Sequence, residues 1–110
     1  MENQIIPPGE VLREYFLKPL GITQNKLALD IRVPSNRINE IINGKREISV
    51  DTAIRFGKYF QTDPVFWLTL QSKHDLQRIA PSIQEELTYI PVCENIESIA
   101  RVCSDILKDF

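Results

Sequence analysis

Apolar residues recur at helical spacing along most of the chain, and capping residues separate the runs. The first run, from Val11 to Phe16, follows Pro7-Pro8-Gly9-Glu10, in which proline and an acidic first turn mark a helix start. Lys18-Pro19-Leu20-Gly21 ends this helix, because Pro19 disfavours helix before it and Gly21 supplies the turn. The pattern predicts a first helix that buries one face.

Two short helices separated by a tight turn are predicted between Thr23 and Lys45. Thr23 is a good N-cap for a helix that runs to about Ile31. Arg32-Val33 makes the turn, and Pro34 or Ser35 starts the second helix. Asn43-Gly44 ends it, because Gly44 can adopt the left-handed conformation that a helix stop requires. The predicted inward positions are Leu27, Ala28, Ile31, Ile38, Ile41 and Ile42.

Two further helices are predicted from their caps. Ser49 caps a fourth helix that has Asp51 in its first turn. Asp63-Pro64 starts a fifth, in which Phe66 and Trp67 are expected in the core. Short helices joined by short loops indicate an all-α domain. The expected apolar face of the fourth helix is Ala53, Ile54, Phe56, Gly57 and Phe60.

The segment after Pro81 is less regular. Ser82 to Leu87 fits a short helix, and Thr88 to Val92 is β-prone or extended, with Pro91 limiting any ladder. A last helix is predicted from Glu94 to Asp109. Core and interface are about equally good interpretations of its apolar stripe, which comprises Ile96, Ile99, Ala100, Cys103, Ile106 and Phe110.

Composition narrows the class of protein. The 110 residues are 43% hydrophobic and 25% charged, which suits one compact domain. No apolar run approaches the roughly 18 residues of a membrane span, and the N-terminus is not a signal peptide, so a cytoplasmic protein is predicted. Cys93, Cys103 and a lone His74 provide no metal set, and two buried thiols are expected. We predict no cofactor and no enzyme, because no phosphate loop and no nucleophile–base pair is present.

Charge is distributed unevenly along the chain, although the total is only −2. Residues 18–58 carry eight Lys/Arg and four Asp/Glu, or +4, whereas residues 59–110 carry four and eight, or −4. Residues 1–17 add −2. A basic middle with acidic flanks fits a DNA-facing surface with other surfaces free for other partners.

The outward face of the second central helix carries the chemistry. Its N-terminal turn is the part of such a helix that meets base edges. Asn suits adenine, Arg guanine and Glu cytosine. The predicted base contacts are Ser35, Asn36, Arg37, Asn39 and Glu40. Thr23 and Gln24, at the start of the preceding helix, and Lys45 and Arg46, after the second, are predicted phosphate contacts.

These residues also carry a family resemblance. Thr23-Gln24-x-x-Leu27-Ala28, with Val33, Ile38 and Asn43-Gly44-Lys45, resembles the helix–turn–helix of the Cro/C1 (XRE) repressors. Over residues 7–77 the chain is similar to the HigA/VapI-type antitoxins. That similarity is carried by Pro8-Gly9-Glu10-x-Leu12, Lys18-Pro19-Leu20-Gly21-Ile22-Thr23-Gln24, Arg37-Ile38-Asn39-Glu40-Ile41-Ile42-Asn43-Gly44-Lys45-Arg46, Asp51-Thr52-Ala53, Asp63-Pro64-x-Phe66-Trp67-Leu68 and Leu70-Gln71-x-x-x-Asp75-Leu76.

The resemblance implies a five-helix, phage-repressor-like helix–turn–helix domain over residues 1–78. The C-terminal helical extension over residues 79–110 is predicted from its hydrophobic pattern alone, because the resemblance does not reach it. The resemblance further implies a homodimeric antitoxin that binds an inverted-repeat operator, represses its own operon and neutralises a HigB-like mRNA-cleaving toxin. Arg32 stands where the family usually has glycine, so we expect strain or a different turn geometry there. Two alternatives remain: a stand-alone repressor, and a protein-interaction module that has lost DNA binding.

Overall fold

The computed structural model describes residues 6–94 and 96–108, and over them the chain is helical with no strand. The first helix, α1, is continuous from Pro8 to Leu20, with a π-helical stretch over Leu12–Leu17 between its two α-helical ends. Pro19 therefore lies inside the helix and does not stop it, which corrects the expected reason for its end. The wider π-turn, in which Lys18 N donates to Arg13 O, accommodates the proline ring. Gly21, at φ 65°, ends the helix as predicted.

Four helices follow: α2 over Gln24–Ile31, α3 over Ser35–Ile42, α4 over Val50–Phe60 and α5 over Pro64–Ile79. The side chains of Thr23, Ser49 and Asp63 accept hydrogen bonds from backbone amides at their N-termini. All three caps were predicted from sequence, because a cap acts on residues two or three positions away.

The core lies where α1 to α5 meet. Its largest fully buried side chains include Leu12, Leu27, Ile38, Phe56 and Trp67. The Trp67 ring lies 4.8 to 6.0 Å from four phenylalanine rings, and its indole donates to Thr62 Oγ1 at 2.9 Å. All six predicted inward residues of α2 and α3 are buried.

Two predicted core positions, in contrast, are wrong. Ile54 is 55% exposed and Phe66 is 40% exposed, because each lies at the edge of its helix's apolar face. Gly57 allows the chain to approach α4 closely. A Cβ there would lie 2.8 Å from Thr62 O, in the loop that leads to α5.

Gly9 sets the contact between α1 and α3. A Cβ at Gly9 would lie 2.1 Å from the carbonyl oxygen of Ile41 and 2.8 Å from that of Ile42, a separation that no side chain tolerates. The sequence pattern had placed Gly9 only in a helix-start signal. Its structural role is to let α1 cross the C-terminal end of α3 at backbone contact.

Residues beyond α5 form an extended tail. A 3-10 turn over Ala80–Ile83 leads into α6, Gln84–Leu87, and the last helix, α7, spans Ile96–Leu107. The predicted boundary at residues 78 and 79 therefore falls on the last turn of α5. Thr88 to Val92, predicted β-prone or extended, begins as a turn bonded back to Glu85 and Glu86. Asp109 and Phe110, the predicted end of the last helix, lie outside the described residues.

Every residue from Leu76 to Glu94 and from Ile96 to Lys108 is exposed. The apolar stripe of α7 is therefore not part of the core of its own chain. Cys93 and Cys103 are exposed as well, so the expected buried thiols are wrong. Among the described residues, no group of His, Cys, Asp and Glu is arranged to hold a metal. No helix in the same part of the chain is long and apolar enough to cross a membrane.

Candidate nucleic-acid interface

The turn between α2 and α3 keeps a helix-stop geometry without glycine. Arg32 adopts φ 66° and ψ 47°, the left-handed region that side chains other than glycine enter at a cost. Val33 N donates to Ala28 O at 3.0 Å, and Arg32 N donates to Leu29 O at 3.2 Å, the pair of bonds of a Schellman motif. Arg32 therefore has the expected strained left-handed conformation, and the turn has the Schellman geometry.

The N-terminal turn of α3 is open to solvent. Ser35 and Asn36 are exposed, and the opposite side of the helix is anchored by the buried Ile38, Ile41 and Ile42. Gly44, at φ 74°, ends the helix, with Lys45 N donating to Glu40 O at 2.8 Å. Anchored on one face and open on the other, α3 presents short polar side chains at its N-terminal end.

A row of side-chain amides joins α2 to α3 on this open face. Asn39 Nδ2 donates to Gln24 Oε1 at 3.3 Å, and Asn43 Nδ2 donates to Asn39 Oδ1 at 3.2 Å. Gln24 and Asn39 were predicted separately, as a phosphate contact and a base contact. Their hydrogen bond brings them into one polar surface with Ser35 and Asn36.

Arg37 turns towards α4. Its Nη1 lies 3.3 Å from Asp51 Oδ1, and Arg55 Nε lies 2.7 Å from the same oxygen. Arg55 Nη1 also donates to the carbonyl oxygen of Ile31, at the end of α2, at 2.7 Å. The Arg55 and Arg37 guanidiniums hold the pKa of Asp51 below its usual range. Arg37 is therefore committed to an inter-helix ion pair at the edge of the open face.

Glu40 and Arg46 form a second ion pair, in which Arg46 Nε and Nη2 both lie 2.8 Å from Glu40 Oε1. The charges of Glu40 and Arg46 therefore offset each other. Lys45 is exposed, and within the described part of the chain no ion pair is found for it. Lys45 is therefore the more available of the two predicted phosphate contacts after α3.

At the start of α2, the Thr23 hydroxyl accepts from Lys26 N at 3.0 Å and remains exposed. All nine predicted contact residues thus lie on or beside the α2–α3 pair, and their contacts to DNA stay predictions. Sequence reasoning missed Asp51 as a partner of Arg37 and Asn43 as the end of the amide row. Asp51 had been assigned only to the helix dipole, because its partner is 14 residues away.

The comparisons with known proteins agree with this geometry. The helix-turn-helix family model HTH_3 matches residues 12–67. The chain is 38% identical to virulence-associated protein I of Dichelobacter nodosus, over 89% of this chain and 91% of that protein. It is 34% identical to antitoxin HigA-1 of Vibrio cholerae, over 84% of this chain and 89% of that protein.

Solved structures give the same result. Pseudomonas aeruginosa antitoxin HigA, determined with the higBA promoter, superposes with a TM-score of 0.76 at 34% identity, over 83% of this chain and 99% of that one. Antitoxin GraA in complex with its operator superposes with a TM-score of 0.73 at 32% identity, over 84% of this chain and 96% of that one. The chain therefore belongs to the Cro/C1-type helix–turn–helix family and, within it, to the HigA/VapI-type antitoxins.

Proposed function

We propose that this protein is a sequence-specific DNA-binding antitoxin that acts as a homodimer. The observation that carries the proposal is the polar surface on α2 and α3. There the Asn39 side-chain amide donates a hydrogen bond to the Gln24 side chain, beside the exposed Ser35 and Asn36. Side chains fixed before binding lose little freedom on contact with a ligand. Two relatives that were solved with a promoter or an operator share this fold at more than 30% identity.

In this proposal the N-terminal turn of α3 enters the major groove. Ser35, Asn36 and Asn39 meet base edges, and an asparagine amide bonds adenine through two hydrogen bonds. Gln24, at the N-terminus of α2, contacts a phosphate. Arg37 and Glu40 lie at the edges of this surface, so each must leave its ion partner before it can contact a base.

The remaining parts of the proposal follow the family. Two copies bind an inverted repeat whose half-sites lie one helical turn apart, ~34 Å. The protein represses its own operon and neutralises a HigB-like mRNA-cleaving toxin in the cytoplasm. It has no catalytic role and no cofactor.

The DNA surface is tested by fluorescence anisotropy with a labelled duplex from upstream of its own gene. Asn36→Ala with Asn39→Ala is expected to weaken operator binding on the order of 30-fold or more, because each good base contact is worth about 1–3 kcal/mol. The salt dependence should not change, since neither substitution removes a charged side chain. Thr69→Ala with Ser72→Ala, two exposed positions on α5, is the matched control. Operator binding that is equally tight in both double variants contradicts the assignment of this face.

The toxin partner is tested by co-expression with the neighbouring reading frame. An antitoxin co-purifies with the neighbour's product and restores growth when that product is toxic. A stand-alone repressor binds the operator and does neither. A protein-interaction module without DNA binding shows only weak, salt-insensitive binding to any duplex.

A further inference from the structure

A cavity of about 270 Å³ lies between the C-terminal end of α2 and the helix α4. Part of its wall is apolar and comes from both elements: Ile31 at the end of α2, and Ile54 and Tyr59 on α4. Ile54 is 55% exposed, so this aliphatic side chain is open to a ligand. Ligand sites combine an apolar wall with a few polar groups, and drug-sized ligands occupy about 300–1,000 Å³. The cavity therefore suits a small organic molecule.

The charge of the cavity selects the ligand. Three basic side chains line it: Arg32, Arg55 and Lys58. Asp30 is the one acidic residue in the wall, so the net charge is +2. Asp30 Oδ2 already accepts hydrogen bonds from Lys26 Nζ at 2.8 Å and from Tyr59 Oη at 2.7 Å. A cation would therefore be repelled, whereas an anion is attracted.

Two of the three basic side chains are available to an anion. Arg32 and Lys58 are exposed, and within the described residues neither forms an ion pair. Arg55 is already engaged, because its Nε lies 2.7 Å from Asp51 Oδ1 and its Nη1 donates to Ile31 O at 2.7 Å. Arg55 thus forms a fixed part of the wall, and the ligand's charge falls to Arg32 and Lys58.

The aromatic ring in the wall favours a planar ligand. The hydrogen bond from Tyr59 to Asp30 fixes the orientation of this ring, and Phe60 packs edge-on against it at a centroid distance of 5.1 Å. Aromatic rings pack well on one another, and a guanidinium stacks on an aromatic face. A carboxylate matches the two parallel N–H groups of an arginine. An aromatic carboxylate satisfies both requirements.

The cavity is separate from the predicted phosphate contacts on α2. Thr23 and Gln24 lie at the N-terminal end of this helix, whereas the cavity lies at its C-terminal end. A helix of eight residues is about 12 Å long. A phosphate bound at Gln24 therefore does not fill the cavity.

We propose that the cavity between α2 and α4 is a binding site for a small aromatic carboxylate. The carboxylate pairs with Arg32 and Lys58, and the aromatic ring packs on Ile54 and Tyr59. Such a ligand joins the turn before α3 to the middle of α4. The site is additional to the proposed function and does not depend on it.

Nuclear magnetic resonance of the ¹⁵N-labelled full chain, titrated with 2-naphthoate, tests the site. Saturable shifts are expected for the backbone amides of residues 30–32 and 54–59. Two matched compounds separate charge from ring: 2-naphthylmethanol has the ring without the charge, and acetate has the charge without the ring. Each should bind at least about 10-fold more weakly, because hydrogen bonds to charged groups and the burial of a ring each contribute this much.

Arg32→Met with Lys58→Met removes both charges and keeps the apolar stems. The Kd for 2-naphthoate is expected to rise at least about 10-fold. Lys73→Met with Arg101→Met removes two positive charges at exposed positions of α5 and α7 and should leave the Kd unchanged. The dispersion of the amide spectrum verifies that both variants are folded. In the wild type and the control, 2-naphthoate should raise Tm, because a ligand that binds the folded state stabilises it.

The proposal is overturned if the shifts do not saturate, if they fall outside the cavity, or if 2-naphthylmethanol binds as tightly as 2-naphthoate. An unchanged Kd in Arg32→Met with Lys58→Met overturns it as well. Displacement of 2-naphthoate by a duplex of unrelated sequence would assign the two cations to the DNA backbone. Amide shifts of residues 54–59 on dilution without 2-naphthoate would assign the cavity to a contact between copies. Either result replaces the carboxylate as the occupant.

Discussion

Arg37 and Asp51 join α3 to the first turn of α4 through an ion pair of 3.3 Å. Asp51 Oδ1 also forms an ion pair with Arg55 Nε at 2.7 Å. One carboxylate therefore binds two guanidinium groups at the edge of the proposed DNA surface. The Arg37 side chain is 29% exposed to solvent, so it can turn outward if its ion pair with Asp51 breaks. Asp51 is therefore the residue that governs the positive charge available to DNA at this edge.

Asp51→Asn is expected to increase affinity for DNA of any sequence at low salt. Removal of the carboxylate frees Arg37, and one additional phosphate contact steepens the plot of log K against log salt by about 0.9. Anisotropy titrations over a range of salt concentrations measure this slope. Glu85→Gln makes the same charge change in the tail and should leave the slope unchanged. An unaltered slope in Asp51→Asn would show that Arg37 does not approach phosphate.

Gly9→Ala is expected to destabilise the fold by about 1–3 kcal/mol, the usual cost of an overpacked contact. The added methyl group would meet the carbonyl oxygens of Ile41 and Ile42, which belong to backbone and cannot rotate away. Urea unfolding monitored by Trp67 emission measures the loss. Glu10→Ala, at an exposed neighbouring position, is the control. Equal stability of the two variants would mean that α1 can move away from α3 at no cost.

Arg32→Gly is expected to stabilise the protein by about 0.5–1 kcal/mol. Glycine removes a cost of 1–2 kcal/mol at positive φ, and its greater freedom in the unfolded chain offsets part of the gain. Gln61→Gly is the matched comparison, because Gln61 has φ 59°. Its side chain donates to Lys58 O at 2.9 Å, so the gain there should be smaller. Thermal unfolding gives both values, and a loss of stability in Arg32→Gly contradicts the inference of strain.

Asp30 links stability to pH through two helices. Lys26 Nζ and Tyr59 Oη both donate to Asp30 Oδ2. These two hydrogen bonds lower the pKa of Asp30 below its usual range, and the bond from Lys26 has the larger effect. A lowered folded-state pKa contributes stability that is present above the unfolded-state pKa of about 4 and is lost as pH falls through the folded-state pKa. The hydrogen bond to Asp30 raises the pKa of Tyr59. The stability that Tyr59 contributes is therefore lost as pH rises through its folded-state pKa.

Tyr59→Phe should therefore show a smaller loss of Tm between about pH 5 and pH 2 than wild type. It should also show a smaller alkaline loss above about pH 10 than wild type, because only Lys26, whose pKa the Asp30 bond also raises, then contributes to that loss. Part of the acid dependence should remain, because Lys26 still pairs with Asp30. Lys58→Met, at an exposed position on α4, controls for a general change on this helix. Identical profiles of Tm against pH for wild type and Tyr59→Phe would show that Tyr59 does not contribute to the pH dependence of stability.

The sequence predicted what local chemistry determines. The caps at Thr23, Ser49 and Asp63, and the inward isoleucines of α3, depend on neighbours within one or two helical turns. The partners of Arg37 and Tyr59 lie 14 and 29 residues away, and no local pattern specifies them. The cysteines were misjudged for a related reason: an apolar stripe indicates that a helix needs a partner but does not show whether its own chain supplies it.

The hydrogen bond from Ile48 N to Gln71 Oε1, 2.9 Å long, ties the loop after α3 to the middle of α5. From Gln71 the same helix continues without a break to Ile79, at the base of the tail. A helix of 16 residues is about 24 Å long, so one continuous helix both holds the loop after α3 and sets the direction in which the tail leaves the body.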